Sequence, residues 1–232
     1  MGPRNPSVFE DETAERFLAP LGLTRYCCHA CSSHISPTTA QHVLDDLDGR
    51  IDAILDTGPS PRGVESTVLD PSVTPMVIYR PGAVTAEQIR EVAGPVEMVR
   101  GAGALHETPA EALPSPGVGI RHYAPRARLV LVEAPLAALS ACLEKAVQSE
   151  PGEELGVMLP QGVAAPAAIA KECVFLWGRW NAPEELAQRL YAGLRALDAA
   201  GCTVILCPLP AAEGIGAAIR DRLKKAGTKG SL

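Results

Sequence analysis

The fold of this protein is most strongly indicated by residues 56–82, which read DTGPSPRGVESTVLDPSVTPMVIYRPG. The runs at residues 64–69 and 76–80 are rich in β-branched and aromatic side chains, which predicts two short strands. Gly-Pro and Pro-Ser pairs separate these runs, and the Arg-Pro-Gly at residues 80–82 predicts a turn. The segment therefore predicts two strands with tight connections.

Polar residues occupy positions in this segment where apolar residues would make a simpler strand. They are Glu65, Ser66, Thr67 and Arg80. On residue pattern alone, the favoured interpretation is an antiparallel hairpin with one face in water. After the turn, Thr85 and Gln88 have the spacing of a capping box, which predicts that a helix begins there.

The composition is that of a soluble globular α/β protein. The chain has 232 residues, of which 47% are hydrophobic, 21% charged and 4% aromatic, and it suits one large domain or two small ones. No apolar run approaches the ~20 residues needed to span a bilayer, and the first residues lack the basic-then-apolar pattern of a secretory signal. We therefore expect a cytoplasmic protein without membrane contacts.

The charge pattern argues against strong direct binding to nucleic acid. The net charge is −6, whereas contacts to phosphates need a surplus of Lys and Arg. Basic residues near the C-terminus alternate with apolar ones, which predicts the solvated face of a helix. These residues are Arg220, Arg222, Lys224, Lys225 and Lys229.

The residues on either side of segment 56–82 predict few elements. Ser36 is a suitable N-cap and Pro37 a suitable first residue of a helix, which Gly49 would end. Residues 51–55 predict a short buried strand. Residues 94–117 are dense in Gly, Pro and Ala, have no sustained period and predict a linker, ordered or not.

From residue 128 onward, predicted strands and helices alternate. The strands are predicted at residues 129–132, 156–159, 174–177 and 203–207, and the best-defined helices begin at Pro183 and Gly216. This rhythm is typical of a parallel sheet with right-handed crossovers, hence of a small Rossmann-like domain.

Four separated segments resemble one family, in the same order along the chain. The segment at residues 36–68, which ends in GVESTV, and the RPG after it resemble the YrdC-like domain of L-threonylcarbamoyl-AMP synthases. SPGVGIRHYAP at residues 115–125 resembles the linker of the two-domain form. LAQRLYAGLRALD and EGIGAAIRDRLKKA resemble the C-terminal domain of that form.

The resemblance implies an α/β fold with two parts. Part of a YrdC-like twisted mixed sheet with helices would be linked to a small Rossmann-like parallel α/β domain. Residues 1–97 would form the C-terminal half of the YrdC-like domain, residues 98–127 the linker, and residues 128–232 the C-terminal domain.

The resemblance also implies a nucleotidyltransferase activity. The family makes threonylcarbamoyl-AMP from threonine, bicarbonate and ATP and releases pyrophosphate, and the product is the donor for threonylcarbamoyladenosine in tRNA. ATP, L-threonine and bicarbonate are therefore the expected substrates, with the tRNA-modification machinery acting downstream. The sequence carries no signal that identifies a magnesium ion beside the ATP.

Matching positions imply the roles of individual residues. Ser36 would contact the nucleotide, Ser66 would hydrogen-bond threonine, and Arg80 would pair with the phosphate of ATP or a carboxylate, for which its planar fork is suited. Each has a plainer alternative: Ser36 is an N-cap, Ser66 bonds a neighbouring strand, and Arg80 is a surface charge. The linker residues expected to close over the nucleotide are Arg121, His122 and Tyr123, of which Tyr123 would contact ATP.

The sequence departs from the family pattern in its first part. The first lysine is Lys145, so the family's Lys-x-Arg motif for ATP and threonine does not occur before it. Cys28, His29 and Ala30 stand where the family has Ser-Ala-Asn. We expect an N-terminally truncated fragment that is inactive or impaired, with residues 23–31 degenerate or out of frame. The alternative is a non-catalytic module that binds a nucleotide or regulates a partner.

A zinc site is a rival interpretation of the same region. Its ligands would come from Cys27, Cys28, His29, Cys31 and His34. Cys28 and Cys31 have the C-x-x-C spacing of zinc ligands, but no second Cys/His pair lies at the usual distance. We therefore predict no metal site.

Overall fold

The computed structural model describes residues 7–10, 35–56, 58–99 and 124–227, the first of these as backbone only. These ranges contain nine strands and five α-helices. The strands are β1 (Ser7–Glu10), β2 (Ala53–Asp56), β3 (Val68–Asp70), β4 (Met76–Arg80), β5 (Val96–Met98), β6 (Arg128–Val132), β7 (Leu155–Pro160), β8 (Val174–Gly178) and β9 (Val204–Pro208). The helices are α1 (Ala40–Leu47), α2 (Ala86–Ala93), α3 (Leu136–Gln148), α4 (Pro183–Ala199) and α5 (Gly216–Ala226). None of the helices in these ranges is long and apolar enough to cross a bilayer.

Segment 56–82 provides the centre of a mixed three-stranded sheet. β4 lies between β3, to which it is antiparallel, and β5, to which it is parallel. Leu69 is paired with Ile78, and Met76 with Val96. Ile78 is only 2% exposed, so this strand faces the interior. The expected mixed sheet is confirmed, and β1 and β2 form a separate parallel pair.

Two predictions about this sheet are wrong. The strand predicted at residues 64–69 is formed only at Val68–Asp70, because the Glu65 carbonyl accepts from the Ala83 amide (3.1 Å) beside the turn that follows β4. β5 lies inside residues 94–117, which we predicted to be a linker. A strand of three residues is too short to show a periodic pattern, and only its pairing with β4 defines it.

The predicted N-cap is wrong for α1 and confirmed for α2. Ser36 is not the N-cap of α1. The cap is Thr39, whose side chain accepts from the His42 amide at 3.2 Å. The capping box that begins α2 is confirmed, since Thr85 and Gln88 each bond the other's backbone amide.

The C-terminal part contains a four-stranded sheet with the order β6-β9-β7-β8, in which all neighbouring strands are parallel. Helix α3 connects β6 to β7, and α4 connects β8 to β9. The predicted parallel sheet is confirmed. α4 is anchored by the indole of Trp177, which donates to the Leu186 carbonyl at 2.8 Å. Its buried leucines recur at three- and four-residue spacing and are Leu186, Leu190, Leu194 and Leu197.

The two parts share one core. Ile35 and Val64 belong to the same cluster of buried residues as the C-terminal sheet and its helices. Arg195 of α4 also reaches the first part, where it donates to the Asp46 carboxylate at 2.9 and 2.6 Å and to the Ile35 carbonyl. The expected domain limits at residues 97 and 128 stay a prediction, but the two sides of those limits pack together.

Gly63 allows the loop before β3 to touch α4. It has φ +68, and a Cβ on it would overlap the backbone of Ala187 and Gln188. The side chain of Gln188 donates to the Pro61 carbonyl at 2.8 Å, which holds the same loop. Only glycine permits both this backbone conformation and this close approach.

We expect Gly63→Ala to be considerably more destabilising than Gly58→Ala. Gly58 also has a positive φ (+85), but a Cβ there would meet no atom within 4 Å. Its substitution should cost about 1–2 kcal/mol of unfolding free energy, from backbone strain alone. At Gly63 the overlap with α4 adds about 1–3 kcal/mol. Urea unfolding measures both variants, and equal losses would contradict the described contact with α4.

Candidate functional site

Three of the sequence-predicted site residues lie beside or next to Glu65: Ser36 contacts its carboxylate, Ser66 follows it in the chain, and Arg80 contacts the Ser66 carbonyl. We call Ser36, Glu65, Ser66 and Arg80 the polar wall. The side chain of Glu65 is 9% exposed, and Ser36 Oγ donates to its Oε1 at 2.6 Å. The Tyr191 hydroxyl lies 3.0 Å from both carboxylate oxygens.

Arg222 of α5 completes the surroundings of this carboxylate. Its Nε donates to Glu65 Oε2 at 2.7 Å, and its Nη1 donates to the Pro81 carbonyl at 2.9 Å. Nη1 also contacts the Asp221 carboxylate at 2.6 Å, to which Lys225 Nζ donates at 2.9 Å. The polar wall is thus tied to α4 and α5 through Glu65.

The predicted solvated basic face is wrong for Arg222, which is 1% exposed. Lys225 and Arg220 are also mostly covered, with side chains 10% and 15% exposed. Arg220 contacts Glu133 and the Pro210 carbonyl, which lie outside α5, and Lys225 contacts Asp221 one turn earlier in α5. A charged residue is buried only where such partners surround it, and Arg222 has them in Glu65 and Pro81.

Glu65 carries its negative charge at neutral pH. Burial would raise the pKa of this carboxyl, but the charge of Arg222 and the hydrogen bonds from Ser36 and Arg222 outweigh burial, and the pKa lies below its ordinary value. An ionised carboxylate can only accept hydrogen bonds. The protons of the surrounding contacts therefore belong to Ser36, Tyr191 and Arg222.

Arg80 is part of the buried wall and is not a surface charge. It is 5% exposed, and its Nη2 donates to the Ser66 carbonyl at 3.1 Å. Gly82 packs against the same backbone, since a Cβ on it would overlap Glu65, Ser66 and Thr67. Arg80 and the turn after it therefore hold Ser66 in place.

The structure brings some of the predicted site residues together. Ser36 contacts Glu65, which precedes Ser66, and Arg80 contacts the Ser66 carbonyl. The Ser66 residue itself is exposed. Arg121, His122 and Tyr123 lie outside the described residues, as do Cys27, Cys28, His29, Cys31 and His34. The ligand contacts predicted for all of these residues stay predictions.

Sequence reasoning missed the central role of Glu65 and its two distant partners. Glu65 had a weak signal, because it is an acid inside a run that otherwise suits a strand. Tyr191 and Arg222 had none, since they lie 126 and 157 residues further along the chain. In the parts that the structure describes, no group of three or more His, Cys, Asp and Glu residues could hold a metal ion.

Comparison with known proteins places the chain in a family. A family model described as threonylcarbamoyl-AMP synthase, C-terminal domain, matches residues 84–228. The chain belongs to this family. A second model, described as telomere recombination, matches residues 18–82.

The relatives of this family member are named threonylcarbamoyl-AMP synthases. The Pyrococcus abyssi protein is 34% identical over 82% of this chain and 54% of its own length, and the Bacillus subtilis protein is 38% identical over 82% and 53%. A crystal structure of the P. abyssi Sua5 protein in complex with L-threonine has a TM-score of 0.72 at 34% identity, covering 84% of this chain and 55% of that one. The chain spans about half the length of the curated relatives it matches.

We expect Glu65→Gln to lower the free energy of unfolding by about 1–3 kcal/mol at pH 7, because the buried Arg222 loses this counter-charge and keeps that of Asp221. The pKa of Glu65 is lowered in the folded protein, so its stabilising effect is complete above the ordinary value of 4.5 and is lost as the pH falls through the folded-state pKa. Urea unfolding at pH 7 and at a series of pH values below 4.5 should show the unfolding free energies of the wild type and Glu65→Gln converging as the pH falls.

The matched control for this prediction is Glu133→Gln. Glu133 also pairs with an arginine, Arg220, but its side chain is 65% exposed. The substitution should change the free energy of unfolding by less than about 1 kcal/mol. If Glu65→Gln and Glu133→Gln lowered the free energy of unfolding equally at pH 7, the Glu65–Arg222 pair would not stabilise the fold more than an exposed ion pair does.

Proposed function

We propose that this chain acts in the synthesis of threonylcarbamoyl-AMP, in which threonine, bicarbonate and ATP yield the adenylate and pyrophosphate. The observation that carries the proposal is the polar wall. Three residues match the family's ligand contacts: Ser36 donates to the ionised Glu65, Ser66 follows Glu65 in the chain, and Arg80 donates to the Ser66 carbonyl. Family membership supports the same reaction, and tRNA modification would use the product.

Within this proposal, Ser66 is the residue that binds threonine. It is the exposed member of the wall, and its backbone is held by Arg80 Nη2 at 3.1 Å and by the turn at Gly82. A fixed backbone presents a hydroxyl in one place, which is what positioning of a substrate needs. The P. abyssi relative has been solved in complex with L-threonine, which agrees with a threonine site in this family.

Arg80 supplies positive charge to the same wall. The reaction brings together the phosphates of ATP and the carboxylates of threonine and its carbamate, so its charge is mostly negative. A planar guanidinium can bind carboxylate or phosphate through two parallel hydrogen bonds. Arg121, His122 and Tyr123 would close over the nucleotide from the linker. A magnesium ion accompanying ATP would be held by phosphate oxygens and water more than by a cage of protein carboxylates.

We expect the chain on its own to bind these substrates and to turn them over slowly or not at all. No lysine precedes Lys145 in its sequence. The Lys-x-Arg motif that the family uses for ATP and threonine is thus not found before that residue. The polar wall alone offers binding contacts without the complete set of groups for the reaction.

A binding and turnover experiment tests this proposal. Calorimetry with L-threonine, in the presence of ATP and bicarbonate, should show binding, and radiolabelled threonine should give at most a trace of adenylate. Turnover by this chain at a full-length relative's rate would contradict the expected impairment. Nucleotide binding without any threonine binding would overturn the proposed function and favour a non-catalytic nucleotide-binding or regulatory module.

The sharpest variant is Ser66→Ala. It should weaken threonine binding about tenfold, the equivalent of one hydrogen bond, while ATP binding stays within about twofold. Ser72→Ala is the matched control, because Ser72 is also exposed but its hydroxyl donates to Asp70 at 2.6 Å in the turn between β3 and β4. If Ser66→Ala and Ser72→Ala bound threonine equally well, Ser66 would not be a threonine-binding residue.

A further inference from the structure

The hydroxyl of Ser36 can act toward a ligand only as a hydrogen-bond acceptor. Ser36 Oγ lies 2.6 Å from Glu65 Oε1, and the carboxylate is ionised because its pKa is held below the ordinary value. The proton between these two oxygens must therefore come from the serine. A serine hydroxyl has one proton and two lone pairs, so Ser36 presents lone pairs, and no proton, to anything else that it contacts.

Helices α4 and α5 fix this arrangement. Tyr191 of α4 lies 3.0 Å from both oxygens of Glu65, and Arg222 of α5 donates to Oε2 at 2.7 Å. With Tyr191 and Arg222 bound to it, the carboxylate has a defined rotation, and Oε1 is directed to Ser36. Removal of either partner would loosen the carboxylate and, with it, the orientation of the Ser36 hydroxyl.

We propose that Tyr191 and Arg222 are positioning residues, which act through Glu65 to hold Ser36 as a hydrogen-bond acceptor toward the nucleotide. The inference rests on the proposed function, since it takes Ser36 as a nucleotide contact. It specifies the chemistry of that contact: Ser36 binds a donor group of the nucleotide, a ribose hydroxyl or the amino group of adenine. It does not bind a phosphate oxygen, because that would require a second proton on the serine.

The alternative is that Glu65 and its partners only stabilise the fold. Loss of Tyr191 or Arg222 would then reduce stability without changing how the folded protein selects nucleotides. The two possibilities differ in a double-substitution experiment. If Tyr191 acts through Glu65 on Ser36, its loss has no further effect once the Ser36 hydroxyl is gone.

The experiment is calorimetry of the full chain with ATP, 2′-deoxy-ATP, 3′-deoxy-ATP, ITP and tripolyphosphate. The wild type should bind one of the three analogues about tenfold more weakly than ATP, which identifies the donor as a ribose hydroxyl or the adenine amino group. Ser36→Ala should weaken ATP binding about tenfold and bind that analogue as well as it binds ATP. Tripolyphosphate should bind the wild type and Ser36→Ala equally.

Tyr191→Phe tests the positioning role with the smallest change of shape. It should weaken ATP binding about threefold and reduce the preference between ATP and the selective analogue. In the Ser36→Ala background it should have no further effect on ATP binding. Gln188→Ala is the control on the same helix, since Gln188 contacts the loop at Pro61 and not Glu65, and ATP binding should be unchanged.

Arg222→Lys and Arg220→Lys form a second matched pair on α5. Arg220 contacts Glu133 and the Pro210 carbonyl, both within the C-terminal part. Only Arg222→Lys should reduce the preference for ATP over the selective analogue. If Arg222→Lys does not fold, the comparison of Tyr191→Phe in the wild-type and Ser36→Ala backgrounds decides. The inference would be overturned by unchanged ATP binding in Ser36→Ala. It would also be overturned if Tyr191→Phe weakened ATP binding equally in the wild-type and Ser36→Ala backgrounds. In either case, threonine binding by the chain would leave the proposed function standing. A folded chain that binds neither ATP nor threonine overturns both.

Discussion

Glu65 and Arg222 form an ion pair inside the protein, and the arrangement of the elements around them follows from its requirements. Their side chains are 9% and 1% exposed, and removal of such charges from water costs several kcal/mol per ion. The pair is stable only where further hydrogen bonds satisfy its remaining atoms. Ser36, Tyr191 and the Pro81 carbonyl provide them. Helix α5 is therefore held against the turn after β4, and α4 against Glu65.

Two glycines make this arrangement sterically possible. Gly82 lets the turn after β4 lie on the backbone of residues 65–67, and Gly63 lets the loop before β3 lie on α4. Arg80 then reaches the Ser66 carbonyl at 3.1 Å. Backbone held on both sides has few conformations left, so residues 65–67 would be ordered before binding the proposed ligand. Such preorganisation reduces the entropy that binding would otherwise cost.

The C-terminal part therefore has a role beyond completing the core. The predicted ligand contacts Ser36, Ser66 and Arg80 all precede residue 99, but the Glu65 carboxylate to which Ser36 donates is bound by side chains of α4 and α5. A change in the packing of those helices would reach the wall through a single side chain, Glu65. This gives a physical reason for the two parts to occur in one chain.

Local patterns of residues were sufficient for β4, for the capping box of α2 and for the parallel C-terminal sheet, because each depends on residues a few positions apart. The resemblance to a known family singled out Ser36, Ser66 and Arg80 in the same way, from motifs of neighbouring residues. The tertiary structure alone revealed β5 and the burial of Arg222. A three-residue strand exists only through its pairing, and a basic residue on a helix becomes an internal ion-pair partner only when an acid 157 residues away is folded against it.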